Sequence, residues 1–373
     1  MKYYIIAGEA SGDLHGSHLI QAIKTNDEGS DIRVWGGDKM EAAGAKLIKH
    51  YRDLAFMGFA EVISNLPTIM ANMKFCKSDI TTFNPDVVIF IDYPGFNLPI
   101  AKFAKAKGYK TAYYISPQIW AWKEKRIHTI KRDVDKMMVI LPFEKIFYEK
   151  WNFAVDYVGH PLIEIIDQYQ LGINKEEIKN TLGINKAKKV VALLPGSRKQ
   201  EITKKLPIML EASKDFPEVQ FIVGQAPGIT DEFIQSFTSK YQNVTVLKNK
   251  TYDLLSIADA ALVTSGTATL ETALFRVPEI VCYKGSPISY AIAKKLIKVK
   301  YISLVNLIMD KQIVKELIQE ELTTKNIKLE LTDLLFNEER KTTFQQDTND
   351  LYKLLSAGGK ASQKAADLIN QML

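Results

Sequence analysis

Val87-Val88-Ile89-Phe90-Ile91-Asp92 is an unbroken run of β-branched and aromatic residues that ends on an acid. No polar residue alternates within it, so both faces of the strand must be covered, as in a parallel sheet with helices on each side. Similar short runs at residues 3–7, 33–36, 110–116, 136–141 and 155–159 are separated by amphipathic stretches, which reads as a doubly wound α/β domain. After the polar stretch 174–189 a second series follows at 189–194, 219–224, 244–248, 260–264 and 279–283. Both series open with a strand, a Gly/Ser loop and a helix, first at Gly8-Glu9-Ala10-Ser11-Gly12-Asp13 and later at Pro195-Gly196-Ser197-Arg198. No residue-level repeat accompanies this, so the expectation is two similar domains rather than an array. Ligands of such sheets sit beyond the carboxyl ends of the strands, so two Rossmann-like domains facing across a cleft are expected. The boundaries fall at 1–166, 167–345 and 346–373. From Asp310 onward the chain turns helical and charged, and its last helices are expected to pack back on the first domain or on a partner chain.

At 373 residues the chain exceeds what one core usually organises. Its 46% apolar and 25% charged residues are those of a soluble globular protein. Cys76 and Cys282 are far apart and in no metal-ligand spacing, which points to a reducing compartment, the cytosol. The apolar run at the start is too short for a secretory signal, and no stretch is long and apolar enough to span a bilayer. A net charge of +6 favours anionic partners without choosing among phosphates, nucleotides, acidic lipids and nucleic acid.

The loops carry the chemistry. Gly8 to Asp13 joins a strand to a helix whose free amides can receive a polar or anionic ligand, although the glycine spacing fits neither the dinucleotide fingerprint nor the P-loop. A tight turn explains the same residues. Arg198, just after the Gly196-Ser197 turn, is placed to grip a diphosphate bidentately. Thr264-Ser265-Gly266-Thr267 opens a helix whose amides and hydroxyls suit phosphate, with Glu271 placed for ribose hydroxyls, while N-capping by Ser265 or Thr267 is the plain alternative. Asp92 ends its strand where open sheets present catalytic groups. It reads either as a general base or as a cap for the Pro94-Gly95 turn.

Trp120, Trp122, Lys123 and Arg126 combine aromatic faces, which suit sugar rings or lipid, with cations, which suit phosphate; a core tryptophan beside a solvated helix has the same pattern. Residues 54–75, with Phe56 and Met57, are unusually apolar. They read as a buried helical hairpin or as an element lying among lipid headgroups, with Lys74 and Lys77 near phosphates. Asp133-Val134-Asp135 has the Asp-x-Asp form of metal-dependent transferases, but Asp135 stands at a strand entry and no metal is assigned. The five histidines include no metalloprotease pair, and no nucleophile elbow is present.

Taken together, these segments resemble the lipid A disaccharide synthases. The matching stretches are Ala7 to Gly16, Phe56-Met57-Gly58 with Glu61-Val62, Asp92-Tyr93-Pro94-Gly95-Phe96-Asn97, Ser116 to Trp122, Leu141-Pro142-Phe143-Glu144 and Val158-Gly159-His160-Pro161. The second half adds Leu193 to Arg198, Ser265 to Glu271 and Tyr301 to Leu307, so order and spacing match over nearly the whole chain. The resemblance implies a glycosyltransferase of the B fold that is cytoplasmic and peripheral to the inner face of the inner membrane. The implied reaction moves 2,3-diacylglucosamine from its UDP derivative to 2,3-diacylglucosamine 1-phosphate, with inversion and a β-1,6 bond. Asp92 becomes the essential acidic residue. Gly196, Ser197, Arg198, Ser265, Gly266, Thr267, Glu271 and Asn306 become the UDP site. Glu9, Ser11, Phe56, Met57, Trp120, Trp122, Lys123 and Arg126 become acceptor or acyl contacts. No metal or other cofactor and no nucleic acid is implied, and homo-oligomerisation stays open. Many family members carry a second acid where Gly95 stands and a proline where Val305 stands. Rival readings are another UDP-sugar enzyme of the same fold, such as a UDP-N-acetylglucosamine epimerase or the polyprenyl-linked muramyl peptide transferase, and a non-catalytic nucleotide-sugar or lipid binder.

Overall fold

The computed structural model describes residues 1–54, 65–185, 187–286, 290 and 299–373. The chain divides into two compact units, Met1–Pro161 with Leu355–Leu373, and Leu162–Leu354. These divisions stand beside the boundaries 166/167 and 345/346 read from sequence, and the second falls inside the helix Glu338–Ser356.

In the first unit β1 (Lys2–Ala7), β2 (Asp31–Gly36), β3 (Lys46–His50), β4 (Val87–Ile91), β5 (Lys110–Tyr114), β6 (Lys136–Val139) and β7 (Asp156–Tyr157) form one sheet in the order β3-β2-β1-β4-β5-β6-β7. Every pairing is parallel, with Ile5 opposite Val34 on one side and Ile89 on the other. Val87 to Ile91 is buried throughout, as an apolar run covered on both faces demands. The second unit repeats the plan with β8 (Val190–Leu194), β9 (Gln220–Gln225), β10 (Val244–Lys248), β11 (Ala260–Thr264), β12 (Glu279–Tyr283) and β13 (Lys315–Ile318), all parallel in the order β10-β9-β8-β11-β12-β13.

Two strands escaped the sequence reading. β3 reads Lys46-Leu47-Ile48-Lys49-His50 and β13 reads Lys315-Glu316-Leu317-Ile318; each lies at a sheet edge and is largely half-buried, so charged residues interrupt the apolar signal. The stretch after Asp310 is therefore not helical throughout.

In both sheets the direction of winding reverses once, at β1/β4 and at β8/β11. Such a switch point splays the two following loops apart and opens a crevice at the strand ends. Gly8-Glu9 and Asp92-Tyr93 follow the first pair; Pro195 to Arg198 and Ser265 to Thr267 follow the second. The candidate loops thus occupy the crevice position of their own sheets.

The segment Leu355–Leu373 belongs to the first unit. Its helix Ala361–Asn370 lies on the helix Ala10–Asn26, where the Asn26 amide donates to Asp367 at 2.8 Å and Gln363 donates to Asn26 at 2.9 Å. Gly358 is pressed against Gly159 so closely that a Cβ on it would stand 2.1 Å from the Gly159 nitrogen.

Candidate active site

In the second unit the strand-end loops enclose a cavity of about 370 Å³ lined by Gly196, Ser197, Arg198, Ser265, Gly266, Thr267 and Glu271. Gly196 takes φ +114°, and a Cβ there would stand 2.4 Å from Glu201 Oε2. Only glycine turns the chain so tightly into the helix Lys199–Ser213. Gly266 caps the helix Thr267–Leu274 at φ +155°, and a Cβ there would meet nothing within 4 Å, so the helix N-terminus opens to the cavity. The Thr264 hydroxyl donates to the Pro195 carbonyl at 2.9 Å and ties the two loops together. Arg198 donates to Glu201 at 3.3 Å and keeps an exposed guanidinium, while the Tyr252 hydroxyl donates to Glu271 at 2.8 Å and orients that carboxylate. A half-cage of amides and hydroxyls with one cation and one carboxylate suits a diphosphate beside hydroxyl groups.

Asn306 does not line the cavity. It is fully buried: its amide nitrogen donates to the Val314 carbonyl and to Glu316, and its amide oxygen accepts from Ile313 and Val314. Glu316 also accepts from the Ile302 and Ser303 amides, and the Ile302 carbonyl accepts from the Ser265 hydroxyl. Asn306 therefore shapes the turn against which Ser265 is set.

In the first unit Asp92 and Tyr93 take left-handed backbone angles, φ 42° and 49°, which non-glycine residues hold only when their surroundings impose it. The Asp92 carbonyl is held by Asn97 Nδ2 at 2.7 Å and by the Tyr113 hydroxyl at 2.5 Å; Asn97 also reaches the Ile91 carbonyl, at 3.3 Å. Tyr93 donates to the Leu54 carbonyl, and its ring lies over Gly8, where a Cβ would come within 2.3 Å. Asp92 as a residue keeps part of its surface open at the strand end. Protein mass around it removes stabilising water, and the Glu9 carboxylate adds repulsion, so its pKa is pushed up to about 7. A base with that value is suited to taking a proton from a sugar hydroxyl near neutrality.

Gly12 and Asp13 of the Gly8 to Asp13 motif are structural. Asp13 accepts from the amides of Gly37, Lys39 and Met40, capping the helix Asp38–Ala42, and Gly12 packs against Ala7. Glu9 is half-buried and Ser11 exposed at the start of the Ala10–Asn26 helix. Trp120 donates to the buried Glu144 at 3.2 Å and meets Phe143 edge-on, whereas Trp122 is 53% exposed with the Lys123 ammonium 4.0 Å from its ring centre. Arg126 is half-buried; burial raises the Tyr113 pKa most and the Asp92 charge adds to it, while Arg126 opposes the rise, which sets Arg126 in the same neighbourhood. Phe56 and Met57 lie outside the described residues. In the adjacent helix Leu66–Phe83, Leu66, Met70 and Phe75 are exposed, while Cys76, Ile80 and Phe83 are buried. Asp133 pairs with Arg132, and Asp135 accepts from Thr111 and pairs with Lys105, so both carboxylates of the Asp-x-Asp serve the β5–β6 connection.

Residues 3–371 match the model of the family described as lipid-A-disaccharide synthetase. The lipid-A-disaccharide synthase of Syntrophus aciditrophicus (strain SB) is 40% identical over 367 residues, covering 97% of this chain and 95% of its own. The chain belongs to the lipid-A-disaccharide synthetase family. Among solved structures it is similar to a UDP-GlcNAc 2-epimerase from Neisseria meningitidis bound to UDP-GlcNAc, with TM-score 0.66 and 14% identity, covering 100% of this chain and 99% of that one. A glycotransferase of kitacinnamycin gives the same TM-score, 0.66, the same identity, 14%, and the same coverage, 100% and 99%. At such identity these likenesses speak to the fold alone. As a lipid-A-disaccharide synthetase family member the chain is a glycosyltransferase, built on two parallel-sheet domains.

Within this family member several cavity residues went unread in the sequence. Glu201 and Thr251 line the cavity, and Tyr252 orients Glu271. Glu201 sits three residues beyond Arg198 on a helix start, a pairing that spacing alone could have suggested. Thr251 and Tyr252 come from a different βα unit and carry no local signature.

Proposed function

We propose that the chain transfers 2,3-diacylglucosamine from its UDP derivative to the 6-hydroxyl of 2,3-diacylglucosamine 1-phosphate, with UDP bound in the Arg198–Gly266 cavity and Asp92 as base. The observation that carries this reading is the convergence of Gly196 to Arg198 and Ser265 to Thr267 on one cavity at the switch point of the second sheet. The acceptor oxygen attacks the anomeric carbon, its proton passes to the Asp92 carboxylate, and the bond to the diphosphate breaks with its electron pair leaving on UDP. Arg198 and the amides at the Gly266 helix start meet the developing negative charge. In this scheme those donors replace a metal, so chelation by EDTA leaves the rate unchanged. Glu9, Ser11, Trp120, Lys123 and Arg126 supply polar and aromatic contacts for the acceptor and its phosphate.

Among the described residues no helix is long and apolar enough to cross a membrane. The exposed Leu66, Met70 and Phe75, with Lys74 and Lys77 beside them in the sequence, support peripheral attachment to an anionic lipid surface from which the acylated substrates are drawn. The test is product formation: purified protein, the acylated UDP-sugar and the monosaccharide 1-phosphate yield the disaccharide by mass spectrometry. UDP released without disaccharide would contradict the assignment.

A further inference from the structure

One wall of the nucleotide cavity carries a carboxylate, the opposite of what an anion site needs. Glu201 lines that wall together with Gly196, Ser197 and Arg198. Its two oxygens touch the two parts of the loop on which the phosphate reading rests. Oε1 accepts from the Arg198 guanidinium at 3.3 Å, and Oε2 lies so close to the turn that a Cβ on Gly196 would stand 2.4 Å from it. An acid in the first turn of the helix Lys199–Ser213 is favourable for the helix itself, and this accounts for the residue type. It does not account for the direction of the side chain, which is half-buried and turned onto the cavity wall.

The contact with Arg198 also fixes how near Glu201 comes to a ligand. An anion gripped by Arg198 lies within the span of one guanidinium from the Glu201 carboxylate, so the two like charges repel. How strongly they repel depends on the charge of the anion. The diphosphate of a nucleotide sugar is a diester, with a single charge on each phosphate. Once the sugar has left, the terminal phosphate is a monoester whose second proton has a pKa of about 6, so free UDP carries one more negative charge near neutrality. Glu201 therefore opposes the product more than it opposes the donor.

We propose that Glu201 is a specificity-determining residue of this cavity: its carboxylate sets the charge that the site accepts, favouring the nucleotide-sugar diester over the free nucleoside diphosphate and so speeding product release. This rests on the reading of the cavity as a nucleotide site. A wall of cations and amides alone would hold UDP more tightly than the donor, and release of a tightly held product limits turnover in many enzymes.

The experiment is equilibrium binding to the full chain, by calorimetry at pH 8, of UDP and of its β-methyl ester, which lacks that extra charge and adds only a methyl group. Wild type, E201Q and E201D are compared, and thermal melting confirms the fold of each. E201Q is expected to tighten UDP roughly 3- to 30-fold relative to the methyl ester, the range for like charges about 6 Å apart between bulk water and a protein surface. E201D, which keeps the charge, should keep the wild-type ratio of the two affinities. An unchanged ratio in E201Q, whether both ligands gain, lose or keep affinity, would show that Glu201 only orients Arg198 and would overturn the proposal. A ratio that shifts in E201D as it does in E201Q would do the same, because charge is then not the cause. Wild-type protein that binds neither ligand would instead sink the nucleotide reading, and this proposal with it.

Discussion

Asp92 was readable as an acid at a strand end; the surroundings that raise its carboxyl were not. The left-handed turn, the carbonyl held by Asn97 and Tyr113, and the Glu9 carboxylate come from separate places in the chain, and only the folded sheet assembles them. The consequence is measurable. A carboxyl at about 7 must lose its proton to act, so kcat/KM rises with pH through about 7 and levels off above it. Asp92→Asn removes that limb and lowers kcat by about 10²- to 10⁴-fold while UDP binding persists; a variant that loses UDP binding instead contradicts the role. The sign for stability is opposite to that of a salt-bridged acid. Because the folded value lies above the ordinary 3.8, this group's contribution to stability is present at low pH and is lost as pH rises through 7. Asp92→Asn therefore melts above wild type at pH 8 and not at pH 3. Asn306 teaches the converse. Its place in a family motif marked it as important, but sequence does not say whether an asparagine faces the ligand or holds the turn behind it, and here its amide is spent on Ile313, Val314 and Glu316.

Interior strands were legible because a parallel strand covered on both faces must be apolar along its length, as Val87 to Ile91 and Ala260 to Val263 are. The edge strands β3 and β13 carry lysines and a glutamate, the same residues that protect an open edge from pairing, and so they hid. The helix Leu66–Phe83 shows a different ambiguity. The stretch 54–75 read as a buried hairpin or a lipid contact; of its described part, Leu66, Met70 and Phe75 are exposed, and burial begins only beyond it, at Cys76, Ile80 and Phe83. Replacing Leu66 and Met70 together by glutamate is expected to weaken partition into anionic vesicles by roughly 10-fold or more, given about 1.5–3 kcal/mol for each apolar side chain that leaves water. The melting temperature should hold, since neither residue is buried. Unchanged partition would remove this helix from the membrane proposal.

The doubling of the architecture was visible in the way both halves of the chain begin, whereas for the last helices the sequence left two places open, the first domain or a partner chain, and the structure puts Leu355–Leu373 with the first unit. An amphipathic tail announces that one face wants cover, and its own sequence does not choose between those two covers. The seat is specified by a contact between glycines far apart in the chain. Gly358 packs its Cα side onto Gly159, and the new Cβ of Gly358→Ala would stand 2.1 Å from the nitrogen and 2.4 Å from the Cα of Gly159. Both obstacles are backbone, so neither can rotate away, and overpacking of this kind costs about 1–3 kcal/mol. Relief requires the tail to lift, which also strains the Tyr157 hydroxyl bond to the Leu355 carbonyl and the Lys364 bond to the Tyr157 carbonyl. Hydrogen exchange of Gly358→Ala should therefore speed up in the helix Ala361–Asn370 and along the face of the helix Ala10–Asn26 that it covers. Exchange around the Gly196 and Gly266 loops, which belong to the other unit, should keep its wild-type rate, and UDP binding should persist. Wild-type protection throughout the tail would show that the seat tolerates a methyl group and that the glycine contact does not hold it. Faster exchange spread evenly over both units would mean that their stability is shared, so that the tail reports on the whole chain.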